Sequence, residues 1–400
     1  MIRPETEAEL AEAVASAEEP LRIVGGGTRP VGQPVEGVAL SVAGLAGVEL
    51  YEPGALTLVV RAGTPLAEVE RVLAAEGQRL AFEPMDHRGL LGTGGDPTIG
   101  GVVAANVSGP RRIQAGACRD ALIGVRFIDG RGQVVRNGGR VMKNVTGYDL
   151  VKLMAGSRGT LGVLTEVAFK VLPAPESAAT LTLHVEDSGQ AFDAMTRAMK
   201  SPCEVSGAAW VPGARAVHLR LEGFSGSVGY RTGRLTDLLR DLGEVTVETG
   251  AEANAALWRA IRDAEALTDH PYVWRVSMAP GAMRAGFMAD LDRTARFDRL
   301  VDWAGGLCWI GMTEAQAAEY APRYGADDAA SGAIRFHRDL QEAMVDPELG
   351  GGHATLVKGP AALRAEVTVF QPEPAPLAAL ARGLRAQFDP RGILNPGLMG

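Results

Sequence analysis

Between residues 4 and 17 the apolar side chains Leu10, Ala13, Val14 and Ala17 recur at helical spacing, and Pro4 suits a first turn, so the pattern predicts a helix. The apolar run Leu21 to Val24 predicts a short strand that ends in Gly25-Gly26-Gly27-Thr28-Arg29. Pro30, Gly32 and Pro34 bar a helix after those glycines. That excludes a Rossmann loop, in which the glycine turn opens directly into a helix. Runs at Val48 to Tyr51 and Leu56 to Arg61 flank Pro53-Gly54 and predict a hairpin. Thr64 and Pro65 then predict the capped start of a helix. Its buried stripe is Leu66, Val69, Val72 and Leu73, and Gly77 ends it. Leu80 to Phe82 predicts a short strand, and Leu122 to Ile128 with Gln133 to Val135 a second hairpin around Asp129-Gly130.

Farther along, Asp149 to Ala155 predicts one or two helical turns. Gly156, Gly159 and Gly162 lead into a strand over 162–171, and Pro173 and Pro175 predict a boundary. The texture then changes. Strands at 181–185, 206–211, 216–221 and 244–248 alternate with helices at 190–199 and 232–242, the β-α-β-β-α-β order of a ferredoxin-like unit. More helix and strand follow, at 255–267, 272–278 and 307–311. Pro372, Pro374 and Pro376 precede a last helix over 377–388 and the tail FDPRGILNPG. The expected organisation is a first domain over 1–175, a cap domain over 176–370 and a closing segment over 371–400 that returns to the first.

Composition narrows the chemistry. The 400 residues are 22% charged and 46% hydrophobic, which is globular. The net charge of −8, with no basic run interleaved with aromatics, points away from nucleic acid. Cys118, Cys203 and Cys308 are far apart, which excludes a cysteine-ligated iron–sulfur cluster of the usual spacing in this chain and fits a reducing compartment. The first residues lack the apolar core of a signal peptide, and no apolar run approaches the ~18 residues of a membrane span, so a cytoplasmic location is expected. Phosphate-loop, zinc-protease and nucleophile-elbow motifs are absent.

The stretch PTIGGVVAANVSGP, Pro97 to Pro110, carries the candidate chemistry. Gly100 and Gly101 strip side chains from a turn, and small residues follow. Such a segment lets backbone N–H groups approach a large, flat, anionic ligand. The Gly25-Gly26-Gly27 turn and the 156–162 run allow the same close approach, although each alone is compatible with a plain flexible turn.

The ordered set GGGTR, PTIGGVVAANVSG, MKNVTGYDLVKLMAGSRGTLGVLTE and DPRGILNPG resembles the vanillyl-alcohol-oxidase type, or PCMH-type, flavoprotein superfamily. More narrowly it resembles the FAD-binding subunits of bacterial glycolate oxidases, a likeness extended into the cap by WRVSM, DWAGGLCWI and GGHAT. The resemblance implies an α+β fold: a two-lobed FAD-binding domain plus a ferredoxin-like cap. It implies FAD, and the absence of histidine from GGGTRP suggests that the flavin is not covalently bound. It places Gly25, Gly26, Gly27 and Thr28 in the first diphosphate loop. Pro97, Thr98, Ile99, Gly100, Gly101, Asn106, Ser108 and Gly109 fall in the second. Gly162 and Val163 would lie at the adenine, Lys143 and Tyr148 near the flavin, and Asn395 in the returning tail.

The same resemblance implies oxidation of glycolate, or a similar short 2-hydroxy acid such as D-lactate, to the 2-oxo acid. Electrons would pass to a complex with a second flavin subunit and an iron–sulfur subunit, and any membrane association would come through those partners. His353 is the candidate base and Arg275 the candidate carboxylate fork. For each, a satisfied loop histidine or a cap ion pair is the bland alternative. His184, His218, His270, His337 and His353 are scattered singly, so no metal site is expected. That scatter leaves two other readings open: a flavin-binding electron relay or assembly subunit without turnover of its own, and a stand-alone FAD dehydrogenase of another alcohol.

Overall fold

The computed structural model describes residues 1–139, 147–288, 291, 297–321, 328–346 and 351–400. Thr6 caps the first helix, Glu7–Ala15, by accepting the amide of Glu9, so the helix starts three residues after Pro4. It packs Leu10 and Val14 onto a parallel pair, β1 (Leu21–Val24) and β2 (Val38–Ser41). The tail closes the same small core. Leu394 bridges to Leu21, and the Leu21 amide donates to Ile393 at 2.7 Å.

Next come β3 (Val48–Glu52) and β4 (Thr57–Arg61), paired as the expected hairpin. The helix Leu66–Ala75 follows, with Pro65 rather than Thr64 at its cap position. The Thr64 hydroxyl is turned back instead, donating to the Arg61 carbonyl at 2.7 Å and tying the hairpin's end. The strand expected at 80–82 forms two residues earlier, as β5 (Gln78–Arg79), because its partner is the short strand at Leu172–Pro173; Leu80 and Phe82 drop into the core. The second hairpin is β6 (Leu122–Ile128) with β7 (Val134–Gly138), and β8 (Val163–Lys170) completes an antiparallel sheet ordered β3-β4-β8-β6-β7. The short strand Leu172–Pro173 is β9.

A second sheet has eight strands: β10 (Ser177–His184), β11 (Gly207–Val211), β12 (Ala216–Gly223), β13 (Val245–Glu248), β14 (Tyr272–Met278), β15 (Asp298–Asp302), β16 (Leu307–Met312) and β17 (Gly352–Lys358). Their order is β13-β10-β12-β11-β15-β16-β14-β17. Its first half, with helices Ser188–Lys200 and Ser225–Leu239 as crossovers, is the expected ferredoxin-like unit. The second half is another β-α-β-β-α-β unit, laid down in mirror order and joined to the first where β11 meets β15 at Trp210 and Val301. The mixed α+β class is therefore as expected, and the eight-stranded sheet holds two such units where the sequence suggested one.

The two sheets share one apolar core, which runs from Val60 and Phe169 to Trp274 and Ile310. A buried ionic cluster pins them together. Arg220 forks onto Glu83 with both bonds at 2.9 Å, while Arg111 and Arg79 each reach Glu222 at 2.7 Å.

Candidate functional site

The two distant glycine segments meet. A Cβ on Gly26 would lie 1.7 Å from the Asp96 carbonyl, and one on Gly25 2.3 Å from the Thr98 hydroxyl. At Gly26 backbone packs on backbone, and only glycine allows the approach. Together they form the wall of a cleft of about 390 Å³, which Gly162, Val163, Leu164, Asn395 and Leu398 complete.

The second glycine segment is not the open turn that its composition suggested. Ile99–Ala104 is a helix whose first turn is capped by Thr98. Its amides are largely committed: Ile99 donates to Thr64 at 3.0 Å, Gly100 to Ala62 at 2.8 Å and Gly101 to the Thr98 hydroxyl at 3.3 Å. The expectation that these amides bind diphosphate is corrected accordingly; they anchor the wall. The first segment keeps its donors. Among the described residues, the amides of Gly26, Gly27 and Thr28 donate to no protein acceptor, and all three residues line the cleft. They are the concave set of N–H groups that an anion requires.

The other expected contacts divide. Thr98, Gly100, Gly101, Gly162, Val163 and Asn395 line the cleft. Asn395 accepts the Ile23 amide at 2.8 Å and donates to the Arg158 carbonyl at 2.8 Å. Pro97, Ile99, Asn106, Ser108 and Gly109 stand behind the wall. Pro97 accepts the Leu66 amide, the Asn106 side chain that of Arg119, and the Ser108 hydroxyl that of Cys118. Gly109 receives the Trp303 indole N–H at 3.0 Å, which joins the two sheets. Tyr148 is 89% exposed and outside the lining, and Lys143 lies outside the described residues.

Arginine dominates the cleft in a way that the sequence did not reveal. Its ionisable lining residues are Arg22, Arg29, Arg158 and Arg364, with no carboxylate among them. Arg29 donates through Nε to His87 Nδ1 at 3.1 Å, and its Nη2 is buried without a partner. Arg158 stacks on Phe370 at 4.5 Å and, among the described residues, forms no ion pair. Burial pushes both guanidiniums down to about 10, with mutual repulsion helping at Arg158, yet both stay charged at neutral pH. Burial and the adjoining Arg29, Arg158 and Arg275 hold His87 well below the usual imidazole range. Nδ1 also lies 3.3 Å from the Met85 carbonyl, and the neutral tautomer that accepts from Arg29 is the one with its proton on Nε2.

Arg275 and His353 share one face of the eight-stranded sheet. His353 stands opposite Ser277, two positions from Arg275, and Ser277, Leu307 and Asp302 continue that row across three strands. The Arg275 guanidinium lies 4.9 Å from the Trp303 ring, which Arg112 also covers at 4.3 Å. Burial pushes Arg275 down to about 10, with Arg112 adding to it, and pushes Asp302 up to about 7. His353 is exposed at its edge strand, and neither it nor Arg275 lines the cleft.

Comparison with known proteins fits this geometry. Residues 1–138 match the FAD binding domain family. The chain is 35% identical over 392 residues to the glycolate oxidase subunit GlcE of Escherichia coli, covering 96% of this chain and 93% of that one. It is 28% identical over 374 residues to a D-2-hydroxyglutarate dehydrogenase of Xanthomonas citri, covering 85% and 75%. The structure of 4-ethylphenol oxidase from Gulosibacter chungangensis superposes with a TM-score of 0.72 at 15% identity, over all of this chain and 88% of that one, and so has the same fold.

Proposed function

We propose, from the premise that this chain belongs to the family of glycolate oxidase GlcE subunits, that it is the FAD-binding subunit of a complex oxidising glycolate or a similar short 2-hydroxy acid to the 2-oxo acid. The observation that carries this reading is the cleft itself: free amides at residues 26–28, a wall that a Cβ would fill, and arginines with no carboxylate among the lining residues. Those donors fit the diphosphate of FAD. Gly26, Gly27 and Thr28 would hold its oxygens, Gly162 and Val163 the adenine, and Asn395 would brace the loops on which they ride. No histidine lies in the 25–29 loop, which supports non-covalent binding.

When bound, FAD supplies an acceptor for the hydride from the substrate's hydroxyl-bearing carbon. The chain's own residues do the rest. Arg275, a rigid fork steadied by Trp303, would receive the substrate carboxylate. His353 shares that face of the sheet and would take the hydroxyl proton, leaving the 2-oxo acid and an imidazolium. This is the chemistry of a dehydrogenase acting on CH–OH groups. Electrons would leave through other subunits, a second flavin subunit and an iron–sulfur subunit. Among the described residues no helix is long and apolar enough to cross a membrane, so any membrane contact would come through those partners.

One observation favours a second reading. His353 is exposed, so the site that this chain builds alone is open to water. An electron relay or assembly subunit would tolerate that; a complete catalytic site would need a covering partner. The test is to purify the chain, load it with FAD and add glycolate without oxygen. Bleaching of the yellow flavin supports the catalytic subunit. Yellow protein that glycolate leaves unchanged supports the relay, and failure to take up FAD rejects both.

A further inference from the structure

The arginines of the cleft exceed what the diphosphate loop needs, and two of them have an unusual setting. Arg29 is tethered by a single Nε bond to His87, and its Nη2 is occluded yet unpartnered. Arg158, held in a left-handed conformation at φ 52°, is fixed through its backbone by Ala104 and Asn395, while its guanidinium lies on the Phe370 ring. Phe370 lies beyond β17, so at Arg158 the second half of the chain packs against the first. Arg364 is occupied differently, donating to the carbonyls of Pro30 and Gly32, and Arg22 is exposed.

Two half-buried cations near each other, neither in an ion pair among the described residues although Asp86 acts on Arg29 through space, are costly in the empty protein. Such an arrangement is stabilising only if an anion arrives. The diphosphate already has the Gly26–Thr28 amides. The other negative charge that can arise here appears during turnover: hydride transfer adds one proton and two electrons to a neutral ring and leaves it with a single negative charge. We propose that Arg29 and Arg158 are positioning residues that favour the reduced, anionic form of the bound flavin over the oxidised form, with Arg29 aimed by His87. This inference rests on the FAD-binding reading above and deepens it.

The neutral state of His87 belongs to the same device. A proton on Nδ1 would turn that nitrogen to the Met85 carbonyl and lose the bond from Arg29 Nε, and an imidazolium would also add a third charge, so the neutral ring protonated on Nε2 is the one that fixes Arg29. A fixed charge needs no reorganisation when the electrons arrive, which is what makes it effective.

The test compares affinities rather than turnover. Full-length protein is titrated with oxidised FAD, and its two-electron midpoint potential is then measured, giving the ratio of affinities for reduced and oxidised flavin. In R29M that ratio should fall at least tenfold, which for a two-electron couple is about 30 mV to lower potential. R29K, which keeps the charge without the fork, should recover part of the loss, and R158M should lower the ratio independently. His87→Phe should behave as a weaker R29M. An equal loss of affinity for both forms, with the ratio unmoved, would assign Arg29 to the diphosphate and overturn the proposal. So would an R29M protein that no longer takes up oxidised FAD, or one with an unchanged potential. If R29M does not fold, an unshifted potential in both R158M and R29K overturns it as well. Wild-type protein that fails to bind FAD would sink the functional reading itself, a separate outcome.

Discussion

Asn395 accepts the backbone amide of Ile23 at 2.8 Å, across 372 positions of sequence. Its Nδ2 donates to the Arg158 carbonyl at 2.8 Å, and its φ of 45° lies in the left-handed region that asparagine tolerates better than most residues. One buried side chain thus ties the strand leading into the glycine loop to the loop that carries Arg158. Asn395→Ala leaves two buried backbone groups unpaired, and the expected loss is about 1–3 kcal/mol in urea unfolding together with weaker FAD retention. Asn395→Asp keeps the acceptor, loses the donor and adds a negative charge to the cleft. It should weaken FAD binding more than it weakens the fold, and an unchanged affinity would count against the placement of the diphosphate.

The glycines of the wall should separate folding from binding. Gly26→Ala drives a methyl into the Asp96 carbonyl, so the two loops must part, and the variant should unfold at lower denaturant even without cofactor. Gly101 is different. A Cβ there meets the Thr98 hydroxyl at 3.1 Å and Arg29 Nη1 at 3.6 Å, contacts that small shifts relieve. Gly101→Val should therefore fold and still lose FAD, because its branched side chain projects into the cleft. Retained yellow colour in purified Gly101→Val would show that the flavin lies elsewhere.

The ionic cluster between the sheets predicts an acid limit. Burial alone would raise the Glu222 carboxyl, but Arg220, Arg111 and Arg79 more than offset it, so Glu222 sits well below the usual carboxylate range. Glu83 is lowered in the same way. As pH falls through about 4, the unfolded chain takes up these protons first; stability is complete above that pH and is lost below it. Glu222→Gln leaves three guanidiniums short of a partner and should cost about 3–5 kcal/mol at pH 7. Its unfolding free energy should also change less between pH 6 and pH 3 than that of the wild type.

Asp302 should act in the opposite sense. Burial pushes it up to about 7, against the Trp303 amide that donates to it at 2.7 Å. Between about pH 4 and 7 the folded protein holds a proton that the unfolded chain releases, so stability falls as pH rises, by at most about 1.4 kcal/mol per unit. Asp302→Asn should flatten that slope. Identical slopes in the two proteins, measured by urea unfolding from pH 5 to pH 8, would mean that Asp302 is already ionised.

Local chemistry was legible wherever it decided the structure. Pro53-Gly54 and Asp129-Gly130 marked their hairpins, and Pro30, Gly32 and Pro34 kept helix out of the first loop. The helix Ile99–Ala104 was not legible, because two glycines in six residues give it poor intrinsic propensity; the Thr98 cap and the carbonyls of Ala62 and Thr64 impose it from outside. Ser225–Leu239 begins seven residues before the apolar pattern announces it, since Val228 is the one buried apolar residue among the glycines, serines and exposed Tyr230 of its first two turns. The cationic end of the cleft was hidden for another reason. Arg29, His87 and Arg158 belong to three loops, and no periodicity relates positions 29, 87 and 158. Arg29 was visible beside its glycines and Arg158 within the 156–162 run, but only the fold shows that they line one cleft with no carboxylate in its lining.

The mirror-ordered halves of the eight-stranded sheet have parted in vocation. The earlier copy, 177–248, supplies Arg220 and Glu222 and so grips the smaller sheet. The later copy, 272–358, supplies Arg275, Asp302 and His353 and so presents polar groups on one flank. One unit thus holds the two sheets together while the other carries the groups proposed to meet the substrate, so a change at Arg275 or His353 leaves that hold intact.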